Sequence, residues 1–310
     1  MFAHLHVHSQ FSLLESSVRI HDLVQACAGL GMESLALTDK YVMSGAVQFY
    51  KQAKAEKVRP ITGCEICLLS PGSKISILSH LLLLVKNKKG YENLCRLVSI
   101  SHTRAKTISH IPYVEINDIK NFSEGLLCLS GCSKGNISRL LLAKDIDGAE
   151  KFSKMMLETF DSDFYIEIQR YRLAGYNSGR NLASEMLASF AQKMKITMVA
   201  TNNVHYLTKD DYNTYRYLAK IKMMGEGAAN DPSFSMLEND EHYLKSYREM
   251  ARMFYDVPQA VSNTIKIAEK CDFDFSFDRL TLPCFETPSG ESQEEYLKKL
   301  SIDGISYRYG

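Results

Sequence analysis

The chain opens with MFAHLHVHSQFSLLES (residues 1–16), in which His4, His6 and His8 take every second position, with Leu5 and Val7 between them. That alternation has the period of a β-strand. It predicts three imidazoles on one face at intervals of roughly 7 Å and the aliphatic side chains on the other. Outward from this run the pattern reads strand, helix, strand: an apolar stretch at 2–8, a helical period from Ile20 to Leu30 that closes at Gly31, then SLALTD at 34–39.

The rhythm continues with a helix from Gly45 to Lys57, a strand RPITGCEICLL at 59–69, a PGS turn and a strand HLLLLV at 80–85. The short distance between those two strands predicts a hairpin in place of a helical crossover. Next come a helix from Tyr91 to His102, a strand GLLCLS at 125–130, helices within 136–160, a strand DFYIEIQ at 163–169, a helix at 177–194 and a strand ITMVAT at 196–201. Strands that are apolar at nearly every position and alternate with helices belong to a mostly parallel sheet covered on both faces. The chain is therefore an α/β protein, and this number of repeated units favours a closed barrel over an open sheet.

Beyond residue 205 the pattern turns helical, at 209–224, 246–256 and 258–271. The stretch FDFSFDRLTLPCFETPSGESQ reads as a boundary before EEYLKKLSIDGISYRYG starts another element. The expected division is a main domain at 1–275, followed at 276–310 by a linker and the start of a second domain.

With 45% hydrophobic and 24% charged residues in 310, the composition is that of an ordinary soluble protein with one main core. A net charge of +1 gives no bulk attraction for a phosphate backbone, so any affinity for nucleic acid must come from a local patch or from sequence elsewhere. Apolar runs such as Leu81 to Val85 are too short to span a bilayer, and Met1 leads straight into a strand; a cytoplasmic protein without a membrane partner is expected. The eight cysteines are too few and too irregular for a disulfide framework. Cys64 and Cys67 point to opposite faces of a strand, as packing residues do, and no second pair completes a zinc knuckle.

In a parallel barrel the functional end is the carboxyl end of the strands. His6 and His8 are placed there to ligate a metal, while His4 lies deeper as a hydrogen-bonded core residue. Asp39 ends the second strand, Glu65 lies in the third, Cys132 follows the fifth in LSGC, and Asn203 and His205 follow the last in ATNNVHY. Asp39 has a second reading as a helix cap, and Asn202-Asn203 one as a turn. His80 precedes its strand and fits only if the second strand of the hairpin runs backward. Histidine, thiolate and carboxylate together suit zinc, iron or manganese better than magnesium or calcium. A bridging carboxylate such as Glu65 would hold two ions about 3.5–4 Å apart, an arrangement that activates water and clamps a phosphate. Phosphoester hydrolysis is the natural enzymatic reading.

The motifs HLHVHSQFSLLES, SLALTDKYVMSGAVQFYKQAKAEKVRPITGCEI, HLLLLVKNKKGYENL, EGLLCLSGC, MVATNNVHYL, NTIKIAEKCDF, LPCFETP and YLKKLSIDGISYRYG, in this order over nearly the whole chain, resemble the amino-terminal PHP (polymerase and histidinol phosphatase) domain of bacterial DNA polymerase III alpha subunits. The resemblance implies a distorted seven-stranded β/α barrel of TIM-like, PHP type with a metal cluster at its carboxyl end. It also implies 3′–5′ exonuclease or phosphoesterase activity in members that keep the ligands, and a polymerase site outside this stretch, residues 276–310 beginning the palm region. Carried over one at a time, the ligands are His6, His8, Glu65, His80, Cys132 and His205.

Three positions depart from the family pattern: LLES where it has LLDG (Glu15), TDK where it has TDH (Lys40), and an Asn before V-H where it has Asp (Asn203). Glu15 and Asn203 remain as weaker ligands. Lys40 is the serious change, because a charged ammonium has no lone pair and repels a cation. The expectation is an empty third metal position at Glu15, Lys40 and His205, with at most two divalent ions bound, zinc or manganese first and iron third. The implied partners are DNA, through the parent polymerase, and other replisome subunits. The D-x-D pairs Asp145/Asp147, Asp161/Asp163 and Asp272/Asp274 sit in polar turns and are expected to cap or face solvent. Lys86, Lys88 and Lys89 read as a solvated face. The competing readings are a stand-alone PHP phosphatase acting on a small phosphate ester, and a scaffold that has lost hydrolysis.

Overall fold

The computed structural model describes residues 1–70, 77–104, 111–171, 179–224, 237, 239–277 and 285–310, with the backbone alone at 77, 132, 179 and 180. The chain forms two compact units, Met1–Asp274 and Phe275–Gly310.

The first unit starts its helices and strands close to where the hydrophobic periods place them. Helix α1 (Ile20–Gly29) buries Ile20, Leu23, Val24 and Cys27, one 3.6-period stripe. It leads into β1 (Ser34–Leu37), α2 (Ala46–Ala55) and β2 (Arg59–Ser70), which pairs parallel with β1 from Ser34↔Arg59 to Leu37↔Thr62. The expected hairpin is present. Strand β3 (Ile77–Val85) runs antiparallel to β2 with Glu65 opposite Leu82 and Cys67 opposite His80, so the beginning of β3 lies beside the carboxyl end of β2. The PGS turn between them lies outside the described residues.

Helix α3 (Lys88–Thr103) begins where the Asn87 side chain accepts the Gly90 N–H at 3.0 Å, a cap that lengthens it ahead of the expected Tyr91. Strand β4 (Val114–Glu115) and helix α4 (Ile116–Asn121) are too short to carry a readable period. Strand β5 (Leu126–Leu129), helices α5 (Asn136–Leu142) and α6 (Ile146–Phe160), strand β6 (Phe164–Gln169), helix α7 (Gly179–Met194) and strand β7 (Met198–Thr201) follow. Helices α8 (Tyr212–Met224), α9 (Tyr247–Met253) and α10 (Pro258–Lys270) complete the unit. In the second unit α11 (Gln293–Tyr309) is capped by Ser292 and Glu295 and buries no residue.

The sheet order is β1-β2-β3-β5-β6-β7, with β4 attached to β2. The amino-terminal segment joins its two ends. His4 bridges Leu35 of β1 and Val7 bridges Val204 just past β7; the Ala36 N–H donates to the His4 carbonyl, and the His8 N–H to the Val204 carbonyl, both at 2.9 Å. The strand expected at 2–8 is thus a stave held by two single bridges, with a bend at residue 6 between them. The bend breaks the expected alternation. Ala3 and Leu5 pack with Ala36, Ile61, Leu82, Leu84, Leu127, Leu129, Tyr165 and Val199, alternate residues of successive strands that line the barrel interior. Phe2 and Val7 join the other cluster, where the strands meet the helices. His4 accordingly faces away from His6 and His8; its Nε2 meets the Lys245 carbonyl at 2.8 Å.

Candidate metal centre

The barrel interior changes character along its axis. The apolar layer closes against Ile267, Ala268 and Cys271 on and just past α10. Further along the same faces stand Glu65 on β2, His80 on β3, Glu167 and Gln169 on β6 and Thr201 on β7, all buried. Interior positions that stop being apolar at the carboxyl end of several strands are what a site needs and a packed core does not. Gly131, the glycine of LSGC, has φ +79°, and a Cβ there would lie 2.1 Å from the His80 carbonyl oxygen; only glycine lets the chain after β5 pass this close.

Glu65 is the hub. Its Oε2 lies 3.0 Å from His6 Nε2 and 3.1 Å from His8 Nε2, and its Oε1 contacts His80 Nδ1. Ligand atoms of His6, His8 and Glu65 all fall within 4.8 Å of one another. The other nitrogen of each imidazole is also engaged: His6 Nδ1 with Glu167 Oε1 at 2.7 Å, His8 Nδ1 with Ser12 Oγ at 3.2 Å, and His80 Nε2 with the Tyr41 hydroxyl at 3.3 Å. Partners of this kind fix the ring orientation of metal-binding histidines.

A second cluster stands across the same cavity. Both Glu15 oxygens meet the Lys40 ammonium, at 2.9 and 3.1 Å, and Oε1 also accepts from Lys222 on α8. His205 stacks on His8 with ring centroids 4.4 Å apart, and its Nδ1–H donates to the Glu15 carbonyl at 2.6 Å. Asn203, in the left-handed region at φ 50°, sets its Oδ1 2.9 Å from His8 Nε2. The cavity is lined by His6, Glu65 and His80 on one side and by Glu15, Lys40 and His205 on the other.

The electrostatics follow from burial and neighbours. Burial works against a charged His6, but Glu167 and Glu65 outweigh it and raise the pKa to about 10. Burial likewise opposes the charge of Glu65, and contacts with His80, His6 and His8 hold it well below the usual carboxylate range. Burial lowers His80 to about 4, against the pull of Glu65, and lowers His205 well below its ordinary value with help from His8 and His242. An imidazole held neutral keeps a lone pair to offer a cation. Glu15 falls to about 2 because Lys40, Lys222 and Lys134 overcome its burial, while Lys40 is raised in spite of its own.

Of the sequence-derived positions, His6, Glu15, Lys40, Glu65, His80, Asn203 and His205 thus line one cavity, and His8 joins them through Glu65, Asn203 and the His205 ring. The Cys132 side chain lies outside the described residues; its backbone opens a 3-10 turn, Cys132–Lys134, directly after Gly131. Asp39 is buried but is neither in the cluster nor a helix cap: it accepts from the Ser9 N–H at 2.6 Å, the Ser9 hydroxyl at 2.7 Å and the Ser12 hydroxyl at 2.7 Å, tying the loop after His8 to β1. Cys64 and Cys67 are buried packing residues in separate clusters. Sequence reasoning missed Glu167, whose only signal was a lone acid within FYIEIQ, and Lys222, which carried none.

Residues 4–171, more than half of the chain, match the PHP domain. The chain belongs to the PHP domain family. Across 99% of its length it is 35% identical to the DNA polymerase III subunit alpha of Borreliella burgdorferi and 35% identical to that of Pseudomonas aeruginosa. Across its full length it is 33% identical to the alpha subunit of Bacillus subtilis. It spans about a quarter of these relatives, 27%, 26% and 26% of their lengths. Among the described residues no helix is long and apolar enough to cross a membrane.

The PHP cluster fits a divalent cation on its own chemistry. Two buried carboxylates flank His6, and one oxygen of Glu167 has no hydrogen-bond partner. Buried anions of this kind require a compensating positive charge, and a proton on His6 or a metal ion supplies one.

Proposed function

We propose that this PHP domain is the metal-binding module of a replicative DNA polymerase of the alpha-subunit type, and that its cavity hydrolyses phosphoesters at a DNA 3′ end with two divalent ions at most. The observation that carries the reading is the convergence of His6, His8 and His80 on the buried carboxylate of Glu65. Zinc or manganese fits these donors, with iron third. Such an ion, when bound, lowers the pKa of its water and polarises a phosphoryl oxygen. Glu65 faces all three imidazoles and is the group placed to be shared between ions. Glu167, Ser12 and Tyr41 hold the three rings in register.

The Glu15 side of the cavity takes a different part. Lys40 satisfies the carboxylate that a third ion would otherwise need, so positive charge is kept there without a metal. Asn203 offers a neutral oxygen in place of a carboxylate. In this reading residues 276–310 lead into the polymerase proper, and DNA and other replisome subunits are met through that larger protein.

The test is an assay of the purified chain on an oligonucleotide with a free 3′ end, with manganese or zinc, beside a His8→Ala control. Release of nucleotides that needs the metal and disappears in the control is the expected result. No metal-dependent release by the wild type overturns the hydrolytic role.

A further inference from the structure

Seven described non-glycine residues have positive φ, and most sit where helices end. Lys57, Lys144 and Lys195 follow α2, α5 and α7, and in each case the next residue bonds back across the turn, as in Val58 N–H to the Ala53 carbonyl at 2.9 Å. Tyr41, at φ 65°, is different. It follows no helix, and a bulky aromatic in the left-handed region is an outlier that its surroundings must enforce.

The surroundings do so through the site. The Tyr41 N–H donates to the Glu65 carbonyl at 2.8 Å, His102 Nε2–H donates to the Tyr41 carbonyl at 2.8 Å, and the ring packs with Cys67, Ile111 and Tyr113. This brings the hydroxyl to 3.3 Å from His80 Nε2 and sets the ring face 5.0 Å from the Lys40 ammonium. His80 Nδ1 is thereby turned onto Glu65.

From this we infer that Tyr41 is a positioning residue for His80, holding the imidazole so that Nδ1 and the Glu65 carboxylate face one shared cation, and that the left-handed backbone at Tyr41 is retained for this purpose. A phenol suits the task because it both donates and accepts. When a proton fills the gap, Nδ1–H donates to Glu65 and Nε2 accepts from the Tyr41 O–H. With a cation held between Nδ1 and Glu65 instead, the ring would carry its hydrogen on Nε2 and donate it to the Tyr41 oxygen. The ring keeps one orientation in both states, and the hydroxyl follows the proton. The inference rests on the metal-binding reading, and its test separates the two.

The variant is Tyr41→Phe, which keeps the ring, its packing and the backbone conformation and removes only the hydroxyl. Zinc titrations of wild type and variant by calorimetry, melting temperatures of both without metal, and long-range proton–nitrogen spectra of the histidine rings without metal make up the experiment. The expected result is a metal-free melting temperature lowered by a few degrees at most, since the buried Nε2 loses its donor, a displaced His80 Nε2 resonance and about tenfold weaker zinc binding, the lower end of what loss of such a partner does. A variant that binds zinc as tightly as wild type and leaves the His80 resonances in place overturns the role of Tyr41. A wild type that takes up no zinc while Tyr41→Phe still moves the His80 resonance overturns the metal reading and upholds the positioning of the ring.

Discussion

The two sides of the cavity solve one problem in two ways. Each holds a buried carboxylate, Glu65 at 5% exposure and Glu15 at 8%. Glu65 is ringed by imidazoles, bases that release a proton and accept a metal in the same place. Glu15 is clamped by the ammonium groups of Lys40 and Lys222, which have no lone pair to give. On the reading proposed above, one side is exchangeable and the other permanently compensated. Charge alone does not make a metal site; the cation already present must be one that can leave.

The largest effect that would sharpen this contrast is on the permanent side. Lys40→Met leaves Glu15 buried with Lys222, itself partly exposed, as its remaining direct partner. Loss of one member of a buried pair costs about 3–5 kcal/mol, the upper end if Lys222 cannot compensate, read as a fall in the urea midpoint. The pH dependence follows from the lowered pKa of Glu15. The stabilisation is complete above the unfolded carboxylate range, near ~4.3, and is lost as pH falls toward 2, the folded value. The wild type therefore loses this contribution across that window, and Lys40→Met shows a flatter profile there.

On the exchangeable side the effect is on affinity. Glu167→Gln keeps a hydrogen bond to His6 but removes a charge, and zinc binding measured by competition with a chelator is expected to weaken 10–100-fold, about 1.4–2.8 kcal/mol. Unfolding of the metal-free protein should respond by about 1–3 kcal/mol, since the amide oxygen keeps Thr201 and Gln169 as donors while its NH2 group is buried without an acceptor. A smaller change would convert one side into the other. Lys40→His gives Glu15 an imidazole, and metal analysis should then count one more ion per chain than in the wild type. An unchanged count would show that Lys222 or Asn203 keeps the position closed by itself.

The smallest effect is expected far from the cavity. Asp163, from one of the D-x-D pairs, lies between Lys86 and Lys270. Asp163→Asn should cost on the order of 1 kcal/mol and leave zinc affinity untouched. This also places Lys86 in a pairing with Asp163, whereas the basic run at 86–89 had read as a solvated face. Asp145 caps α6 by accepting the Gly148 N–H at 2.9 Å, as its turn position suggested.

The order of elements was legible because each strand is a short apolar run and each helix a clear stripe. The polar residues at the carboxyl ends of strands stood out against that background, which is why His6, His8, Glu65 and His205 could be picked from spacing. His80 became intelligible once the reversal of β3 carried the start of that strand to the same end. Three things were not legible, each for a physical reason. The bend at residue 6 depends on bridges to two different neighbours and leaves no trace in the alternation. Glu167 is paired with His6 across 161 residues, which no local pattern reports. Lys222 comes from a helix whose period says only which face is buried.

The central claim is that the cavity exchanges cations on the Glu65 side and not on the Glu15 side. Anomalous scattering from crystals soaked in zinc or manganese tests it most directly. The account predicts one or two peaks among His6, His8, His80 and Glu65 and none between Glu15 and His205; a fully occupied ion at Glu15, with the Lys40 ammonium displaced, would contradict it.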